Sequence, residues 1–232
     1  MELSKYIEHT NLGNTATLKD IEKLCNEAIK YKYESVCVYP YYVPLCASLL
    51  KSTYINICAV IGFKDGMNTK EAKVYEAIDA IEKGATEINM VINTAALKNK
   101  DYDYVKDEIE EIRDAIDGKA LKVIIDSSAL TDDEIVKMIE ICNLAFVNFV
   151  EINVKYNEYE EIIRNLELIN EHKNDILEIK ISGEIKDFHT VEEMINLGVT
   201  RIGTSNGVKI MDNCDCEDCN HSSHKCNCKE EE

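Results

Sequence analysis

An α/β fold, and within it a single (β/α)8 TIM barrel over residues 1–211, is predicted by three features of the sequence. Runs of apolar, β-prone residues alternate with amphipathic helical patterns from near the N-terminus to about residue 210. Each run is apolar nearly throughout, as burial on both faces of a parallel sheet requires. Prolines number only 2, Pro40 and Pro44, and no long Gly/Ser-rich linker interrupts the chain before residue 211. With 232 residues, 45% of them hydrophobic, the chain is long for one ordinary domain and comfortable for one barrel.

The weakest strand candidate is Tyr6-Ile7-Glu8-His9-Thr10. Clear ones follow at Ser35–Tyr39, Ile55–Phe63, Glu87–Asn93, Leu121–Ser127, Phe146–Val154, Leu177–Gly183 and Arg201–Ser205. Between them, Thr131-Asp132-Asp133-Glu134 and Thr190-Val191-Glu192-Glu193 fit the capping box, in which a threonine hydroxyl and a glutamate carboxylate satisfy free N–H groups of a first helical turn. Ile135, Met138, Ile139 and Cys142 then share one helix face, as do Ile21, Leu24, Cys25 and Ala28 in an earlier helix. Short connections between alternating elements favour the barrel; an open doubly wound sheet is the alternative. No GxGxxG follows the first strands, which weighs against the dinucleotide-binding version of that sheet.

A formal net charge of -18 with no compensating basic cluster argues against nucleic acid and anionic membrane as partners. No apolar run approaches the ~20 residues needed to cross a bilayer, and Met1-Glu2-Leu3-Ser4-Lys5 lacks a signal-peptide layout. The expectation is a soluble cytoplasmic protein whose partner is a small molecule or another protein, including a homo-oligomer. Of 10 cysteines, Cys25, Cys37, Cys46, Cys58 and Cys142 are dispersed among apolar neighbours and read as reduced core thiols.

In such a barrel the site lies at the C-terminal ends of the strands, so polar residues inside apolar strands carry the information. They are Lys122, Asp126, Glu151 and Lys180, with Asn89 and Asn93. A lone charge of this kind reads equally as a side chain leaning out at a strand end. Several on neighbouring strands point to a site, because isolated buried charges are costly. A desolvated lysine beside a second cation loses its proton readily and condenses with a carbonyl to an imine, which Lys122 and Lys180 would suit.

Several motifs then resemble the deoxyribose-phosphate aldolase family: Glu87-Ile88-Asn89-Met90-Val91-Ile92-Asn93 with Ala96-Leu97-Lys98, Leu121-Lys122-Val123-Ile124-Ile125, Ile61-Gly62-Phe63 with Gly66 and Asn68-Thr69, and Arg201-Ile202-Gly203-Thr204-Ser205. The His9-Thr10 pair and Ser35-Val36-Cys37-Val38 before Pro40 fit the same order, so the likeness spans residues 6 to about 210. The resemblance implies a (β/α)8 enzyme without metal or other cofactor in the barrel. It also implies reversible cleavage of 2-deoxyribose 5-phosphate to acetaldehyde and glyceraldehyde 3-phosphate through a Schiff base, hence a sugar phosphate or related carbonyl compound as ligand. In that family a sixth-strand lysine forms the imine, a seventh-strand lysine lowers its pKa and a fourth-strand aspartate shuttles protons.

Carried across, the seventh-strand lysine is Lys180, the fifth-strand pocket lysine Lys122 and the second-strand pocket cysteine Cys37. The fourth-strand aspartate falls on Asn89 and the Schiff-base lysine on Glu151. A carboxylate forms no imine, and an amide has no proton to shuttle near neutral pH. The implied phosphate cradle differs too. Ile152-Asn153-Val154-Lys155 replaces a Thr/Ser/Gly run, Gly183-Glu184 a glycine pair, and Ser205-Asn206 a serine pair. A carboxylate about 4 Å from a phosphate charge repels it by roughly 4 kcal/mol at an effective dielectric of about 20. The expected outcome is loss or alteration of the aldolase reaction, with Glu151 and Lys180 as an ion pair. The alternative is a working aldolase with the imine on Lys180, Lys122 or Lys155.

Residues 212–232 form an acidic tail without an apolar side chain after Met211, cysteines apart. Cys214, Cys216, Cys219, His221, His224, Cys226 and Cys228 have the density and soft-ligand character of a zinc or copper(I) site, set against the plainer reading of a disordered acidic tail.

Overall fold

The alternation of apolar strands and amphipathic helices closes into a barrel in the computed structural model, which describes residues 2–154 and 159–212. The strands are β1 (Ile7–Asn11), β2 (Ser35–Val38), β3 (Asn56–Ile61), β4 (Glu87–Val91), β5 (Ala120–Ile125), β6 (Phe149–Val154), β7 (Glu178–Gly183) and β8 (Val199–Thr204). They pair in parallel in chain order, and β8 returns to β1 with Ile7 opposite Ile202. The weak first candidate is therefore a full member of the sheet. Around them run α1 (Leu18–Tyr31), α2 (Val43–Leu50), α3 (Lys70–Glu82), α4 (Thr94–Lys98), α5 (Tyr102–Ala115), α6 (Asp132–Leu144), α7 (Tyr159–His172), α8 (Phe188–Asn196) and α9 (Gly207–Asp212). No described helix is long and apolar enough to cross a membrane.

Local chemistry sets the boundaries. Thr131 and Glu134 form the expected capping box of α6, and Thr17 with Asp20 forms another at α1. The expected box at Thr190 is corrected: Asp187 caps α8 by accepting from the Thr190 N–H, so the helix starts earlier and Thr190 lies inside it. Likewise β6 begins at Phe149 and not at Phe146. Phe146 takes a left-handed φ of 52° and stays 67% exposed, while the N–H groups of Phe146 and Val147 bond back to Asn143 and Cys142 and close the end of α6. Asp126 lies past β5, exposed and accepting from the Ser128 hydroxyl, and Asn93 caps α4. The tail ligand set, from Cys214 to Cys228, and Lys155 lie outside the described residues.

Side chains alternate across each strand. The outward ones, such as Ile88 and Met90 on β4 or Ile179 and Ile181 on β7, join the helices in one apolar core that includes Cys25, Cys46 and Cys142 as free thiols. Lys73 of α3 and Glu108 of α5 are fully buried there as a pair 2.6 Å apart, with Lys73 also donating to the Val91 carbonyl at 2.8 Å. Gly66 lies where a Cβ would come 1.9 Å from the Ile92 carbonyl oxygen, so only glycine lets the chain cross the end of β4.

The inward faces are polar. Glu8 on β1 is fully buried and pairs with Lys122 of β5, Lys180 of β7 and, at 3.8 Å, Arg201 of β8. Glu87 of β4 holds Lys122 at 2.7 Å and Arg201 at 3.4 Å. The Phe149 ring lies under both cations, its centroid 5.4 Å from Lys122 Nζ and 5.1 Å from Arg201 Cζ. Burial alone would raise the Glu8 carboxyl pKa, but Lys122, Lys180 and Arg201 hold it far below the ordinary carboxylate range.

Breaking a buried pair by removing one partner costs about 3–5 kcal/mol, because the other charge is stranded. Glu8→Gln is expected to lose that much in urea unfolding at pH 7. Since the folded-state pKa of Glu8 is depressed, its contribution is complete above its unfolded value of about 4.3 and fades as pH falls below it. The gap between wild type and variant should therefore narrow in acid; a gap that widens below pH 4 would contradict the assignment.

Candidate active site

At the C-terminal mouth the strands enclose a cavity of about 510 Å³ whose floor is built from Asn89, Glu151 and Lys180. Glu151 is 4% exposed. Its Oε2 accepts from Asn89 Nδ2 at 2.7 Å and lies 2.9 Å from Lys180 Nζ, and its Oε1 accepts from the Ser182 hydroxyl. The register explains the meeting: Glu151 lies directly opposite Lys180 on β7, with Asn153 opposite Ser182. The expected ion pair between Glu151 and Lys180 is present. Gly203 on β8 makes room for it, since a Cβ there would come 3.1 Å from Lys180 Cε and 3.0 Å from Ser182 Cβ.

Lys180 thus has a carboxylate on each side, Glu8 below and Glu151 toward the mouth. Burial alone would lower its pKa, but Glu151 and then Glu8 hold it well above the ordinary lysine value. Lys122 is raised as well: burial opposes the charge, and Cys58, Glu8 and Glu87 outweigh it. Both shifts favour the ammonium form, which has no lone pair for a carbonyl.

Several expectations for the site need correction. Lys122 does not line the cavity; two carboxylates hold it deeper in the barrel. Glu184 does not line it either, because its side chain is 64% exposed and pairs outward with Lys186 at 3.0 Å. Asn206 turns away to the Ile185 carbonyl, while Ser205, Gly183 and Cys37 do line the cavity. Cys37 is buried beside Cys58, opposite it on β3, in a small apolar cluster with Val60, and a hydrogen bond with Cys58, then burial, push its thiol pKa up. Glu8, Cys37 and Cys58 bring ligand atoms within 4.8 Å of one another. The three cations on Glu8 make this cluster a poor fit for a metal ion. Sequence reading missed Glu8, Glu87 and Arg201, each a lone acidic or basic residue in or at the start of a strand.

The profile of the DeoC/LacD family aldolases matches residues 4–141, from before β1 into α6 and short of β6. A protein of Clostridium tetani named deoxyribose-phosphate aldolase is 45% identical over 213 residues, covering 91% of this chain and 99% of that one. Among solved structures, a deoxyribose-phosphate aldolase assignment from Coccidioides immitis superposes with a TM-score of 0.85 at 33% identity, over 90% of this chain and 84% of that chain. The tetrameric deoxyribose phosphate aldolase from Aeropyrum pernix does so at 0.81 and 25%, over 90% and 88%. On the match over more than half its length and the identity to the Clostridium relative, this chain belongs to the DeoC/LacD aldolase family.

Proposed function

We propose that this chain is an aldolase-family barrel that has lost the imine-forming cleavage of 2-deoxyribose 5-phosphate and keeps its mouth as a small-molecule binding site. The observation that carries this is Glu151 on β6, its two oxygens occupied by Ser182, Asn89 and Lys180. A carboxylate has no nitrogen to condense with an aldehyde, and the nearest amine is held protonated between two carboxylates. Asn89 presents an amide where proton transfer needs an acid.

The second reading, a working aldolase with its imine on Lys180, Lys122 or Lys155, draws support from the name of the 45% identical relative. For Lys180 and Lys122 it must overcome the carboxylates that hold their protons. We also read a homo-oligomer from likeness to the tetrameric Aeropyrum protein, and zinc or copper(I) on the tail from its thiols and imidazoles. Zinc taken up by the full chain against a competing chelator, and lost on truncation after Asp212, is the expected result for the tail; equal uptake by both chains would end it.

Borohydride with acetaldehyde or 2-deoxyribose 5-phosphate should leave Lys180, Lys122 and Lys155 unmodified in peptide mass maps, and a reduced adduct on any of these lysines would overturn the proposal. Glu151→Lys combined with Asn89→Asp should regain measurable cleavage and trapping, where the wild type has none.

Asn89→Asp alone should destabilise the fold. Its carboxylate would stand about 2.7 Å from that of Glu151, and two such groups cannot both ionise freely. The new carboxyl's folded pKa would then lie above its unfolded value of about 3.9, so the cost appears as pH rises past that value. Melting temperatures at pH 5 and pH 8 should differ from wild type more at the higher pH; parallel curves would refute the coupling.

A further inference from the structure

Asn89 is 1% exposed and lines the cavity, and its Nδ2 is committed to Glu151 at 2.7 Å. That bond fixes the amide's orientation, because the flipped form would set Oδ1 against a carboxylate oxygen. Oδ1 has no hydrogen-bond partner among the described residues. A buried carbonyl oxygen left unpaired is costly and is satisfied only by an incoming donor.

We infer that the mouth cavity binds an uncharged polyhydroxylated molecule, a sugar or sugar alcohol without a phosphate, with one hydroxyl donating to Asn89 Oδ1. This rests on the reading of the mouth as a binding site. The class follows from the state of the other groups. Among the described residues, the buried charged side chains lining the cavity already have partners. Lys180 lies between Glu8 and Glu151, Glu27 meets His9 at 2.8 Å and Lys23 at 3.6 Å, and Asp20 accepts from Thr17. A charged ligand at the cavity floor would therefore have to break the buried pairs that Lys180 makes with Glu8 and Glu151. What remains around Asn89 is neutral: Asn153, Thr10, Asn11 and Ser205 for further hydroxyls, and the Phe63 ring as an apolar wall for C–H groups.

Ribitol tests this cleanly, because it has no carbonyl and its binding is independent of imine formation. Isothermal titration of the full chain should show saturable ribitol binding, with ribitol 5-phosphate binding no more tightly. Asn89→Leu should weaken ribitol by about tenfold, the scale of one lost hydrogen bond. No ribitol binding, or a phosphate ester preferred by about tenfold or more, overturns the inference on the native chain alone, without reliance on the variant folding. A variant that folds and binds ribitol unchanged overturns the role of Asn89. A borohydride adduct with acetaldehyde on Lys180, Lys122 or Lys155, by contrast, would end the loss of imine chemistry and leave the ribitol result to stand by itself.

Discussion

The charge balance inside the barrel constrains everything above it. Glu8, Glu87 and Glu151 face Lys122, Lys180 and Arg201, and each of the six touches at least one of the opposite sign. The interior is neutral as a whole, which is the condition for burying ions at all. Glu8 is the hub, reaching three cations from three other strands. Closure of β1 onto β8 and the position of Lys180 therefore depend on a residue in the weakest strand of the sequence.

Glu151 and Asn89 are two halves of one arrangement within that balance. A carboxylate on β6 satisfies Lys180, and an amide on β4 satisfies the carboxylate. With a lysine at position 151 and an aspartate at position 89, the same interior would hold four cations and three carboxylates. That excess of positive charge depresses a lysine's pKa and makes it nucleophilic. Glu151 and Asn89 instead give a neutral floor in which each charge has an opposite partner.

The barrel was legible because its outward residues are apolar whatever the inward ones do, so even β6 with Glu151 reads as a strand. The pairing of Glu151 with Lys180 was legible through family resemblance, and strand register brings it about. Glu8, Glu87 and Arg201 were not: at the edge of an apolar run a charge looks solvated, and Glu8 meets Lys122 across 114 residues of chain. Glu184 and Asn206 failed for another reason. Position along the chain placed them at the mouth, but side-chain direction, set by Lys186 and by the Ile185 carbonyl, took them out of it.

Stability and chemistry pull in opposite directions at this floor. A Schiff-base lysine must be kept short of carboxylate partners, which leaves buried charge poorly compensated. With a carboxylate on β6 the charged groups at the floor are paired, and a lysine in its place would cost the Lys180 pair as well as adding a charge. Glu151→Lys alone would set two ammonium groups side by side, with Asn89 unable to supply a compensating carboxylate. Among the described residues that line the cavity, Asn89 Oδ1 is a buried acceptor without a hydrogen-bond partner, and a donor on a ligand would meet it there.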